Sequence, residues 1–134
     1  GVEPYLINSS LVCVIAQKLV RKICLHCKES YLLKDEIAQS LSLDVSKIGK
    51  LQFYKGKGCQ HCFASGYSGR TVIAEVLQLS QKIRDLILTG SQELFIKQQA
   101  RREGMKTLRE DGLEVALKGY TTIEEVLRVT TPDE

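Results

Sequence analysis

Two Cys-x-x-Cys pairs, Cys24-Leu25-His26-Cys27 and Cys59-Gln60-His61-Cys62, lie 31 residues apart and constrain the fold more than any other feature of the chain. Thiolates two residues apart fit one tight turn, so both sulfurs can reach a single ion at about 2.3 Å. Two such knuckles supply four soft ligands in tetrahedral array, the arrangement that structural zinc prefers. The spacing exceeds the common loop of roughly 15–20 residues between pairs, so a longer insert must fold between the knuckles. An iron–sulfur cluster or another thiophilic metal is an alternative for the same ligands. Redox sites and disulfides are a further alternative. A redox motif normally occurs once, at a helix start after a strand, and a disulfide framework needs a secretory setting. Neither context is visible in the sequence.

Four cysteines already close a structural site. His26 and His61, inside the knuckles, are therefore expected to face solvent or to hydrogen-bond nearby rather than to ligate. Cys13 lies in the apolar run Leu11-Val12-Cys13-Val14-Ile15-Ala16, where a free cysteine acts as a small core residue. The formal net charge is +3 over 134 residues, and a zinc tetrathiolate would lower it to about +1. That balance is thin for a dedicated nucleic-acid binder. Apolar runs of a few residues fall far short of the roughly 20 needed to span a bilayer as a helix. The chain starts Gly1-Val2-Glu3 without an initiator Met or a signal pattern, which suggests a piece of something longer.

The expected organisation is α+β. Asn8, Ser9 and Ser10 are cap candidates for a helix reaching about Gln17, and 18–23 is expected to enter the first knuckle as a strand. Within the insert, 34–41 reads as a short helix and 51–54 as a short strand, with Gly56, Gly58 and Gly66 as turn residues around the second pair. The run 69–79 is β-rich behind a glycine-containing turn. Four helices are then expected over 80–89, 92–103, 108–118 and 123–129, the first three closed by Gly90, Gly104 and Gly119. Thr107-Leu108-Arg109-Glu110 and Thr122-Ile123-Glu124-Glu125 have the capping-box form. Glu110, Glu125 and the other carboxylates are accordingly assigned to caps and solvated faces.

No Gly-x4-Gly-Lys-Ser/Thr, His-Glu-x-x-His or Gly-x-Ser-x-Gly stretch occurs. By itself the sequence describes a metal-stapled scaffold without a catalytic centre.

The order of motifs resembles the C-terminal part of the secretion ATPases, the type II secretion protein E and type IV pilus assembly ATPases. The likeness runs through Gly1-Val2-Glu3-Pro4-Tyr5-Leu6, the stretch 14–24, both cysteine pairs, Gly66-Tyr67-Ser68-Gly69-Arg70-Thr71 and Glu75-Val76-Leu77. It ends with 104–112 and 121–128 and skips only the insert at about 30–54. A departure is Cys13, where relatives commonly have Gly.

The resemblance implies a RecA-like ATPase domain assembled as a hexameric ring, with a tetracysteine zinc subdomain inserted near its end. Carried over, 1–23 is the end of the RecA-like domain as a helix plus one strand of a pair, and 24–65 the zinc subdomain. Residues 66–79 are the returning strand, and 80–134 a C-terminal bundle of short helices. Zinc would bind Cys24, Cys27, Cys59 and Cys62. ATP and Mg would belong to the full-length parent, an ATP hydrolase, because this chain lacks a phosphate-binding loop and should not turn over ATP alone. Arg70 is the candidate nucleotide contact, since a fixed guanidinium suits phosphate oxygens; the plainer role is a hairpin-turn arginine paired with a surface carboxylate.

The implied partners are other subunits of a homohexamer and inner-membrane secretion platform proteins, with no nucleic acid and no direct membrane insertion. The implied location is cytoplasmic, peripheral at the bacterial inner membrane. Lys28, Lys34, Lys47, Lys50, Lys55 and Lys57 would present a basic face to an acidic loop of a platform protein. A free-standing zinc-ribbon module for nucleic acid is the rival from another class. It has Lys18, Arg21, Lys22 and Lys28 near the first knuckle, but Tyr31, Phe53 and Tyr54 make a poor stacking platform.

Overall fold

A computed structural model describes residues 1–41, 51–132 and 134. Pro4 occupies the first turn of α1 (Pro4–Ser10), where its missing N–H costs nothing. The chain then enters β1 (Cys13–Ile23). The expected helix to Gln17 is thus corrected: Asn8, Ser9 and Ser10 end a helix rather than start one, and the strand begins at Cys13. The β-branched run Val12, Val14, Ile15 suits a pleated surface, and pairing with a distant strand decides the matter. Cys13 is correspondingly exposed, not packed in a core.

That partner is β4 (Tyr67–Gln78), antiparallel to β1 from Cys13↔Gln78 to Arg21↔Arg70, with an irregularity before Ile23↔Tyr67. Between the two strands the chain makes a separate excursion. It forms β2 (Lys28–Leu32), α2 (Asp35–Ser40), β3 (Gln52–Gly56) and a short 3-10 turn, Gln60–Cys62. Strands β2 and β3 pair antiparallel from Lys28↔Gly56 to Leu32↔Gln52. The helix at 34–41 and the strand at 51–54 are present, while β2 was not foreseen; the part of the insert at 42–50 lies outside the described residues. The excursion closes where Gly56 and Gly66 cross. A Cβ on Gly56 would stand 2.1 Å from the Gly66 carbonyl oxygen, so neither backbone could approach the other with a side chain between them.

The C-terminal third follows its local signals closely: α3 (Gln81–Leu88), α4 (Glu93–Arg102), α5 (Leu108–Leu117) and α6 (Ile123–Val129). Gly90, Gly104 and Gly119 follow the first three with positive φ. Thr107 and Thr122 accept the N–H groups of Glu110 and Glu125 at 3.2 and 3.1 Å. The return half of each capping box is not made, because Glu110 pairs with Arg101 and Glu125 turns toward Arg21 and Arg128.

Three apolar clusters hold these pieces. Leu33, Ala38, Leu41 and Phe53 of the excursion share one with Leu113, Ala116, Ile123 and Val126 of α5 and α6. Val20, Ile73 and Leu108 join β1, β4 and α5. Leu79, Ile83 and Ala100 join the end of β4 to α3 and α4. Opposed residues of an antiparallel pair share a face, and the apolar pairs Ile15–Val76 and Leu19–Val72 are exposed on one face of β1 and β4.

Candidate metal centre

The excursion's closure brings the two knuckles together. Cys24 donates its N–H to Gly66 O at 2.9 Å and Lys57 donates to Cys27 O at 3.0 Å, fastening the first knuckle to the second. Sulfur separations are 3.8 Å for Cys24–Cys59, 3.8 Å for Cys27–Cys62 and 3.7 Å for Cys59–Cys62. All four Sγ atoms lie within 4.8 Å of one another. Ligands at about 2.3 Å in a regular tetrahedron stand about 3.8 Å apart. A disulfide would need about 2.05 Å. The four sulfurs are therefore placed to hold one metal ion, with a spacing compatible with zinc.

Electrostatics within the cluster are uneven. Burial pushes the Cys27 thiol up to about 12, against one N–H from Gly58 at 3.3 Å. Burial also raises Cys62, but N–H groups of Cys59 (3.3 Å) and Gly66 (3.2 Å) outweigh it and bring that thiol down to about 6. Donors of this kind favour the thiolate, the form a metal binds. Cys24 and Cys62 are buried, while Cys27 and Cys59 are half-buried.

His26 and His61 stay out of the ligand set. Their rings stack with centroids 3.9 Å apart and planes inclined by 17°, on the exposed side of the knuckles. The sequence carried a signal for this: histidine precedes the second cysteine in both knuckles, so knuckles facing each other bring the two rings together.

Arg70 is exposed on β4, within the strand rather than at a hairpin turn, and faces Arg21 across the sheet. Among the described residues it forms no salt bridge. Arg21, by contrast, is anchored. Its backbone N–H and guanidinium both reach Glu125, at 2.8 and 2.7 Å, and its guanidinium lies 4.1 Å from the centre of the Tyr67 ring. Glu125 is 1% exposed and also takes both oxygens' worth of contact from Arg128 at 2.9 Å. Hydrogen bonds from Arg128, and then from Arg21, overcome the burial cost and hold its carboxyl at about 2. Its assignment to a solvated helix start is corrected: Glu125 is the buried hub that fastens α6 to β1. The i,i+3 spacing of Glu125 and Arg128 was visible in sequence, but Arg21 is 104 residues away.

With this geometry in hand, comparison with known proteins assigns the family. A statistical description of the type II/IV secretion system proteins matches residues 1–128, and the chain belongs to that family. It is 47% identical over 130 residues to the type IV pilus assembly ATPase PilB of Thermus thermophilus, covering 97% of this chain and 15% of that protein. It is 45% identical over 132 residues to the type II secretion system protein E of Dickeya dadantii, covering 97% of this chain and 25% of that protein. With PilB of Myxococcus xanthus it shares 38% over 134 residues, or 99% of this chain and 24% of that protein. The chain thus spans about a quarter or less of the length of these relatives. Among the described residues, no helix is long and apolar enough to cross a membrane.

Proposed function

We propose that this chain is the metal-clipped C-terminal part of a hexameric secretion motor ATPase that couples ATP hydrolysis to pseudopilus assembly and protein export. The observation that carries the reading is the match over 1–128 to a family whose relatives are named type IV pilus assembly ATPase and type II secretion system protein E, together with the four-sulfur cluster. The type IV pilus motor is supported equally, since a pilus ATPase stands at 47% identity beside a type II protein at 45%. Residues 1–23 and 66–79 would form the edge of a RecA-like domain, 24–65 the zinc subdomain and 80–134 the helical end. The exposed apolar pairs Ile15–Val76 and Leu19–Val72 support that placement, because a strand pair of a larger domain packs such a face against a further layer.

Cys24, Cys27, Cys59 and Cys62 would hold one Zn. Its chemistry is structural: a closed site leaves no position for substrate. ATP and Mg belong to the whole motor, with Arg70 the residue of this chain that would meet nucleotide. The motor would work in the cytoplasm, against inner-membrane platform proteins. Elemental analysis tests the clip: one Zn per chain is expected, and less than about half an equivalent after refolding with Zn overturns it. Calorimetry tests the division of labour. The isolated chain should neither hydrolyse ATP nor bind it tightly, and full-length protein should do both. In the full-length motor, Arg70→Ala should slow turnover, and an unchanged rate removes Arg70 from the nucleotide site.

A further inference from the structure

The outer tips of the knuckles break two rules of folded surfaces at once. Phe63 is 94% exposed, and its backbone is left-handed, with φ 53 and ψ 43. Left-handed backbone is strained for a residue with a Cβ, and Phe63 and Ala64 both adopt it in the turn that closes the second knuckle. On the first knuckle Leu25 is 79% exposed. The stacked His26 and His61 rings bridge the two tips.

The backbone beneath Phe63 is also fixed. Phe63 N–H reaches Gln60 O, Ala64 N–H reaches Cys59 O at 2.8 Å, and Ser65 N–H reaches Cys62 O at 3.1 Å. With its backbone already held, Phe63 has only side-chain freedom to lose when a partner buries it. The surroundings are basic. With Arg21 paired to Glu125, residues 22–29 and 55–70 contain Lys22, Lys28, Lys55, Lys57 and Arg70 against the single acid Glu29. A metal tetrathiolate would leave that balance positive.

We infer that Leu25 and Phe63, joined by the His26–His61 stack, form a docking surface for an acidic protein segment that carries apolar side chains. The apolar pair supplies the buried centre, as aromatic anchors do in interfaces. The net positive charge of these segments steers the encounter. The inference rests on the reading of the four cysteines as a metal clip, which keeps the tips in register.

The test uses the full-length protein in cells, with the photo-reactive amino acid benzoylphenylalanine placed at Leu25 or at Phe63. Irradiation should give an adduct whose partner peptide, mapped by mass spectrometry, carries Asp or Glu beside Leu, Ile, Val, Phe or Met. In the background Phe63→Gly, which lifts the left-handed strain, the adduct from position 25 should fall about tenfold. Metal content should stay at wild-type level, and the melting temperature should be equal or higher. Adducts to lipid, to a second copy of this chain or to a basic segment overturn the inference, as does no adduct at either position. Loss of metal in Phe63→Gly also overturns it, by making Phe63 a packing residue. A protein lacking metal sinks the clip and the inference that rests on it, whereas a metal-loaded protein without the acidic adduct sinks the docking surface alone.

Discussion

The knuckle region and the helical end solve the same problem in opposite ways. Around the knuckles, buried apolar side chains are few: Ile23 and the sulfurs of Cys24 and Cys62, with Leu25 and Phe63 pointing outward. Four sulfurs converge there on one point, and a metal held by them would supply the order. Helices α3 to α6 have no such point, and hold through apolar clusters and local caps. A small excursion cannot bury enough surface to fold alone; under the proposed reading it borrows twice, from the ion its four sulfurs would hold at one end and, at the other, from α5 and α6 through Phe53. Ligand-held structure fails all at once, whereas burial-held structure fails in proportion to what is removed.

Metal removal gives the largest expected effect. Structural zinc in finger peptides contributes on the order of 10–16 kcal/mol of apparent binding free energy. Chelation, or Cys59→Ser, should abolish hydrogen-exchange protection in β2 and β3. It should also weaken α5 and α6, which share the excursion's cluster, while α3 and α4, in a separate cluster, stay protected. Equal loss in all four helices would break the distinction between the regions.

Phe53→Ala comes next. Phe53 is 1% exposed and faces α5 and α6, so urea unfolding should show a loss of about 3–5 kcal/mol. The metal should remain bound at saturating concentration, since the change leaves the sulfurs alone. A loss under about 1 kcal/mol would mean that the ion, not the shared cluster, seats the excursion.

Glu125 sets the pH dependence. Its folded-state carboxyl sits near 2, below the ordinary carboxylate value, so its contribution is present above about pH 4.5 and is lost as pH falls toward 2. The linkage is worth at most about 3 kcal/mol. Glu125→Gln should be destabilised near neutral pH and should flatten the stability profile between about pH 4.5 and 2. A variant that keeps the wild-type acid slope would assign that slope to other carboxylates.

Thr107→Ala is the smallest change. It removes the cap on α5 and should cost about 1 kcal/mol, read as a modest fall in melting temperature with the metal untouched.

The helical end was legible because its signals are local. Threonine caps and glycine stops act within a turn of the residues they organise, and α3 to α6 lie within a residue or so of the expected bounds. The four cysteines were legible because their spacing constrains the ligand geometry. What escaped depends on distant partners. The start of β1 was misread because β4 selects it from more than fifty residues away, and β2 because its pairing strand lies beyond α2. Glu125 reads as a capping residue until Arg21 arrives from the other end of the chain. The tips of the knuckles were passed over because nothing in the sequence marks a residue as both exposed and left-handed.

The segment that carries Glu125 also limits how far the larger sheet can grow. Thr121 Oγ1 donates to Arg21 O at 2.7 Å, Glu125 takes the Arg21 N–H, and Tyr120 O takes the Ile23 N–H at 2.9 Å. The outward hydrogen-bonding positions at Arg21 and Ile23 are thus occupied by the chain's own tail. A further strand laid beside β1 has only the stretch from Cys13 to Leu19 to pair with, about 20 Å at the usual rise per residue. It must turn away before the first knuckle. The tail is in this sense a ruler, and trimming it would lengthen the edge open to a neighbour by one turn of the ladder.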